Sequence, residues 1–320
     1  MRPRIQLSLL FVVCAVVLVA GACQRRAQGK VIGVSLLTRG HVFYRDMEEA
    51  LRAAAARNGF ELIIDAGEWD LARHQAHIEN YIVRQVDAIV VCPSDSRGIG
   101  PAIEKANQAG IPVFTADIQA FGGQVVSHIA SDNVGGGRLA ARYIAQALGG
   151  KGNVAIIDQP FVKSTIDRVT GFEEEMKKHP GIRIVAKPNG DGVRDRAMKT
   201  MEDLLQSGHQ LDAVFGINDD SALGAMAALE AAGRKDMIIV GFDAIPEARS
   251  AILRGSMLKA DVAQNPKRIG ELTIEAIAKH FRGEAVPAEI PVEVELLDAA
   301  ALEAARAQPA PPPAAARETQ

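Results

Sequence analysis

The chain has 320 residues, which at roughly 150 residues per domain suggests two domains. A hydrophobic content of 48% and a charged content of 23% are ordinary for a globular chain and exclude a mostly disordered one. With 36 basic and 39 acidic residues the net charge is -3, no electrostatic footprint for nucleic acid, and 3 cysteines cannot build a disulfide framework.

The amino-terminal end reads as an address. Residues 1–4 are basic, residues 5–22 are apolar except for Gln6 and Ser8, and Ala20, Gly21 and Ala22 precede Cys23. That order is the pattern of an export signal spanning residues 1–22. Small residues ending in a cysteine resemble the bacterial lipoprotein box, although its usual leucine is replaced by Ala20. The expectation is a mature chain that starts at a lipidated Cys23 and is held to a membrane by its fatty chains. Plain secretion, or an uncleaved anchor of ~18 apolar residues, are the alternatives. Cys14 leaves with the signal, and Cys92 is expected to be a buried strand residue.

Downstream, apolar runs fall at residues 31–36, 60–64, 88–91, 111–116, 125–130, 154–157, 182–186, 213–217 and 237–242. Nearly continuous runs of this kind suit strands buried on both faces. Most are separated by stretches with helical spacing, at residues 46–57, 71–84, 99–109, 139–148 and 219–232. Gly59, Gly110, Gly181 and Gly233 are placed to close four of these helices. The alternation predicts an α/β fold of two doubly wound parallel sheets, one before Asp132 and one after it, with a cleft between them. Residues 299–320, rich in alanine and carrying Pro309, Pro311, Pro312 and Pro313, are expected to form a disordered tail whose early part alone can be helical.

Six residues stand directly after the apolar runs: Asp65, Asp117, Asp132, Asp158, Asn218 and Asp243. Taken singly, each reads as a helix cap, worth ~1 kcal/mol. As a set they rim the carboxyl edges of the sheets, where planar carboxylates and amides suit a neutral, hydroxyl-rich ligand. The sequence carries no phosphate-cradling P-loop, no dinucleotide fingerprint, no nucleophile elbow and no zinc-protease motif, so neither an enzymatic activity nor a cofactor is expected. His74 and His77 read as a solvent-facing pair, and the acidic run at residues 218–220 as the start of a helix.

Three stretches give the chain a family. Residues 126–133, Val-Ser-His-Ile-Ala-Ser-Asp-Asn, residues 106–113, Ala-Asn-Gln-Ala-Gly-Ile-Pro-Val, and residues 240–243, Val-Gly-Phe-Asp, closely resemble the periplasmic ribose-binding proteins. These form part of the ribose and galactose branch of ABC-importer substrate-binding proteins. The resemblance spans residues 31–294 and implies a type I periplasmic binding protein with two lobes and hinge crossings near Ser131, Asn265 and Val294. The amino-terminal lobe would comprise residues 30–131 and 265–293, and the carboxyl-terminal lobe residues 132–264 and 294–298.

Carried over by position, the family's sugar contacts fall on Phe43, Tyr44, Asp117, Arg168, Asn218, Asp243 and Gln264, with His41 near a polar contact. Two aromatics would cover the apolar face of a sugar while the charged groups bind hydroxyl pairs. The arginine that follows the first aspartate in ribose binders is Ile118 here, and Arg39 is a candidate to replace it. A third aromatic, expected in the carboxyl-terminal lobe, falls on Gly192 or Val193. Trp69 is either a substitute stacking ring or packed on the lobe surface, with packing as the expectation. The resemblance implies a monomeric, membrane-anchored periplasmic or cell-surface receptor that closes on a monosaccharide and delivers it to an ABC permease with its ATPase. Pentoses, hexoses and polyols all fit, and a signal receptor for a chemoreceptor or sensor kinase is the alternative.

Overall fold

The computed structural model describes residues 29–307; the expected signal, Cys23 and residues 308–320 lie outside the described residues. Strands β1 (Val31–Leu36), β2 (Glu61–Ala66), β3 (Ala88–Val91), β4 (Val113–Ala116), β5 (Ser127–Ser131) and β11 (Glu289–Val292) form one parallel sheet in the order β11-β5-β4-β3-β1-β2. It is flanked by helices α1 (Val42–Arg57), α2 (Leu71–Val83), α3 (Gly100–Gln108) and α9 (Pro266–Phe281). A second sheet runs β12-β10-β9-β8-β6-β7, from β6 (Gly152–Ile157), β7 (Ile182–Ala186), β8 (Ala213–Gly216), β9 (Ile238–Asp243), β10 (Leu258–Ala263) and β12 (Glu295–Asp298). Only β12 pairs antiparallel. Helices α4 (Asn133–Ala147), α5 (Lys163–Met176), α6 (Arg194–Gln206), α7 (Asp219–Ala231), α8 (Pro246–Leu253) and α10 (Ala299–Ala307) belong to this second lobe.

The apolar runs are continuous because each sheet is covered on both faces. Alternate residues of β3 point to opposite layers: Ala88 and Val90 meet Met47 and Leu51 of α1, whereas Ile89 and Val91 meet Ile78 and Tyr81 of α2. In β6 the split repeats, with Val154 and Ile156 against Phe172 of α5, and Ala155 and Ile157 against Met201 of α6. The chain passes between the sheets after β5, after β10 and between β11 and β12. Parallel pairing therefore delivers the last residues of β1, β4, β6, β8 and β9 to facing edges.

Three details depart from the sequence reading. Gly59, Gly110 and Gly233 end helices in the left-handed region, but α5 stops at Met176 and Gly181 instead directly precedes β7, where a Cβ would lie 2.4 Å from the Gly150 carbonyl oxygen. The tail is ordered further than expected. Asp298 accepts from the Ala301 N–H at 2.9 Å, capping α10, and Leu302 is buried in the second lobe's core. His74 does not face solvent, because the period of α2 puts positions 74, 78 and 81 on one inward stripe. Its Nδ1 lies 2.7 Å from the buried Ser35 Oγ, which also meets His77 Nδ1 at 2.9 Å.

Helices α4 and α5 touch backbone to backbone. A Cβ on Gly137 would lie 2.0 Å from the Arg168 carbonyl oxygen, and one on Gly171 would lie 2.0 Å from that of Val134. An alanine elsewhere in a helix gains ~1 kcal/mol over glycine. Here Gly171→Ala should instead destabilise by about 1–3 kcal/mol through overpacking, read as a lower melting temperature in thermal unfolding.

Candidate functional site

At the facing edges the two lobes line a shared cavity. Its lining from the first lobe is Leu37, His41, Phe43, Tyr44, Trp69 and Asp117, and from the second Ser164, Thr165, Arg168, Asn218, Asp243 and Gln264. All eight sequence-predicted positions, His41, Phe43, Tyr44, Asp117, Arg168, Asn218, Asp243 and Gln264, thus come together in one cavity.

Local structure sets each side chain. His41 caps α1, its Nδ1 accepting from the Phe43 N–H at 3.2 Å, which turns Nε2 to within 3.8 Å of Asp243 Oδ2 across the cleft. Phe43 and Tyr44 follow in the first turn of α1, their rings edge to face with centroids 5.1 Å apart. The Tyr44 hydroxyl donates to Asp117 Oδ2 at 2.6 Å. Asp117 and Asp243 leave their strands with φ of 64° and 116°, left-handed conformations that a non-glycine residue adopts at a cost of ~1–3 kcal/mol. Asn218 is a true cap, accepting from the Ser221 N–H at 2.8 Å while its amide donates to the Gly192 carbonyl at 3.0 Å.

Of the six residues after the runs, only Asp132 and Asn218 cap helices. Asp65 takes the Tyr81 hydroxyl, Asp158 takes the Gln159 N–H, and Asp117 and Asp243 face the cavity.

Arg168 is the buried cation of the site. Its Nε donates to Asn133 Oδ1 at 2.9 Å and its Nη1 to the Ile217 carbonyl at 2.7 Å. The guanidinium lies 3.9 Å from the centroid of the Phe242 ring and 3.6 Å from Asp243 Oδ1. Asp243 Oδ1 also accepts from Gln264 Nε2 at 2.5 Å. After these bonds, His41 Nε2, Asp117 Oδ1 and Gln264 Oε1 remain buried with no partner among the described residues. Such atoms are costly unless something satisfies them.

Burial pushes the Asp117 carboxyl up to about 6, against the pull of the Tyr44 hydroxyl and of Arg168. Burial likewise raises Asp243, with Arg168 and His41 opposing, and it lifts the Tyr44 hydroxyl well above its ordinary value, so that Tyr44 stays a donor.

Other expectations fail or shift. Arg39 does not reach the cavity; it lies on the outer face, with Nε on Glu48 at 3.0 Å and Nη2 on the Ile64 carbonyl at 2.8 Å. Trp69, expected to pack on the lobe surface, lines the cavity from the loop after β2 and stays 36% exposed. Gly192 sits in the left-handed region with φ of 65°, and a side chain there would have to displace Gln159 Oε1, 2.6 Å from a Cβ. Ser164 and Thr165 were not singled out by the sequence; their signal is position, at the start of the helix that follows the second lobe's first strand, as Phe43 and Tyr44 stand at the start of the helix that follows the first lobe's. Among the described residues no cluster of histidine, cysteine and carboxylate side chains is arranged to hold a metal.

Two lobes closing on a buried polar cavity define a substrate-binding protein rather than a scaffold. Residues 32–285 match the periplasmic binding protein domain, and the chain belongs to that family, in its ribose-binding-like type I branch. It is 34% identical to the ribose import binding protein RbsB of Escherichia coli over 293 residues, which cover 91% of this chain and 98% of that one. Among solved structures, an ABC transporter solute binding protein of Bacillus halodurans with bound myo-inositol superposes with a TM-score of 0.80 at 32% identity, covering 88% of this chain and 98% of its own. One from Agrobacterium vitis, bound to alpha-D-tagatopyranose, gives 0.80 at 29% identity over 85% and 95% of the two chains.

The raised Asp117 fixes the sign of a pH effect. An acid held above its ordinary value favours the folded state below pH 3.8, and that advantage is lost as pH rises to about 6. Asp117→Asn should therefore gain melting temperature relative to the parent protein across that window. A constant difference at every pH would show that Asp117 titrates normally.

Proposed function

We propose that this protein captures a monosaccharide or cyclic polyol between its lobes and hands it to an ABC importer without altering it. What carries the reading is the set of buried, unpartnered polar atoms on His41, Asp117 and Gln264, set beside the Phe43, Tyr44 and Trp69 rings in one cavity. A ring with hydroxyls around its edge and C–H bonds on its face meets both demands. Asp117, Asp243, Arg168 and Asn218 are assigned to hydroxyl pairs, His41 and Gln264 to single hydroxyls, and the aromatics to the ring face. The named ligands of similar proteins, ribose, myo-inositol and tagatopyranose, are all neutral and hydroxyl-rich.

Charge-assisted hydrogen bonds in a dry site are worth ~1.5–3 kcal/mol each. A handful supplies the ~8 kcal/mol of a micromolar complex once ordering costs are met. The ligand favours closure because each lobe holds only half the contacts. Lipidation at Cys23 would keep the receptor outside the cytoplasm and beside its permease.

A thermal-shift screen of the purified protein against pentoses, hexoses, polyols and phosphorylated sugars is the direct test. One neutral sugar or polyol should raise the melting temperature by linkage. A flat response to all of them from folded, ligand-free protein would overturn the reading. For the ligand found, Asp117→Ala and Asp243→Ala should each weaken binding by at least about tenfold. Parent-like affinity in both variants would remove these aspartates from the site.

A further inference from the structure

The turn that presents Asp243 to the cleft is held by two acids. Asp219, the first residue of α7, and Asp261, in β10, are both fully buried in the second lobe. Asp261 Oδ1 accepts from the Ala244 N–H at 3.0 Å, and Asp219 Oδ2 accepts from the Ile245 N–H at 2.7 Å. These are the two backbone donors directly after Asp243. The turn needs such restraint, since Asp243 and Ala244 both lie in the left-handed region, with φ of 116° and 53°.

The remaining oxygens decide the chemistry. Asp219 Oδ1 and Asp261 Oδ2 are buried, and neither meets a donor among the described residues. They converge on one point, for a Cβ on Gly241 would lie 2.8 Å from the first and 2.4 Å from the second. Glycine at position 241 leaves room for the pair. Two ionised carboxylates are acceptors only and repel at this range, whereas one proton between them turns repulsion into a hydrogen bond. The charged groups around the pair do not replace that proton. Asp243 on β9 adds negative charge, and Asp220 on α7 adds to that around Asp243 while pairing with Arg194. Arg249 on α8 is the cation that Asp261 feels, but its Nε donates to the Ala244 carbonyl at 2.6 Å. Arg168 and His41 face Asp243 instead.

We propose that Asp219 and Asp261 share one proton and act as positioning residues, fixing the turn at residues 243–245 and with it the aspartate aimed into the cleft. The affinity part of this proposal rests on the reading of Asp243 as a ligand contact; the shared proton does not. Burial pushes the Asp261 carboxyl up to about 7, and burial with the neighbouring Asp261 holds Asp219 well above its ordinary value. The pair's first proton therefore leaves as pH rises through about 7, and the second, shared between Asp219 and Asp261, is held above that.

The test follows the amide resonances of Ala244 and Ile245 by NMR in the ligand-free full chain, from about pH 5 to about pH 9. Both should shift together with a single midpoint near neutrality. In Asp261→Asn, whose amide donates to Asp219 at every pH, that titration should vanish while the turn persists. Independent midpoints, or no movement in the parent protein, would overturn the shared proton.

A second arm measures affinity for myo-inositol and D-ribose. Binding should hold in the parent on the alkaline side of that midpoint, where one proton remains between the acids, stay level in Asp261→Asn, and weaken about tenfold at all pH in Asp261→Ala. Equal loss in the asparagine and alanine variants would overturn the positioning role. If neither probe binds the parent protein, the choice of ligand has failed, and the amide titration still decides the shared proton.

Discussion

Asp117 and Asp243 are buried on opposite sides of one cleft, and Arg168 is the cation whose charge both feel. Desolvating a carboxylate is expensive, so the geometry of that guanidinium governs what the cleft can hold. Arg168 is itself buried, and it is fixed from several sides by the Phe242 ring, Asn133 and the Ile217 carbonyl. Its place in turn depends on helix packing, because α5 can approach α4 only through Gly137 and Gly171. The close helix approach that these two glycines allow is thus transmitted to the charge balance of the cavity.

Closure has its own chemistry, separate from any ligand. The Ser96 N–H donates to the Phe161 carbonyl at 3.2 Å, and the Lys163 N–H donates to Ser96 Oγ at 2.9 Å, both across the cleft. Between them Val162, from the second lobe, is buried in the apolar cluster of the first, together with Ile118. That gives the departure at position 118 a physical meaning. Where ribose binders carry an arginine, this chain has an apolar residue that shares a cluster with the docking valine. Closure of this cleft therefore draws on apolar burial beside the site, and recognition of hydroxyls must rest on the groups that remain.

The alternation of strands and helices was legible because each sheet is covered on both faces and its strands read as unbroken apolar runs. The carboxyl-edge aspartates were legible for the same reason, since a run that stops at a charge marks the end of a strand. Roles were less so. The capping rule explains Asp132 and Asn218 but not Asp117 or Asp243, whose left-handed backbone turns them away from their helices and into the cleft. Arg168 was assigned through family resemblance alone; helical periodicity says nothing about an arginine buried against a distant carbonyl. His74, Trp69 and the Asp219–Asp261 pair depend on contacts between elements far apart in sequence, which local patterning does not encode. Asp261 does leave a trace, as a lone carboxylate inside the apolar strand β10, but its partner is visible only in three dimensions.

The two halves of the cavity are chemically unlike. The first lobe brings Phe43, Tyr44 and Trp69, rings suited to a C–H face, with Asp117 and His41 as its polar groups. The second brings Arg168, Asn218, Asp243 and Gln264, a polar array held by bonds within that lobe. On the proposed reading, neither half alone offers a sugar both a stacking face and a full set of hydroxyl partners. An open form would hold the ligand by one face, exposed to water that competes for every hydrogen bond. Only closure supplies the second face and excludes that water, so the free energy of recognition and the signal that the receptor is loaded become the same quantity.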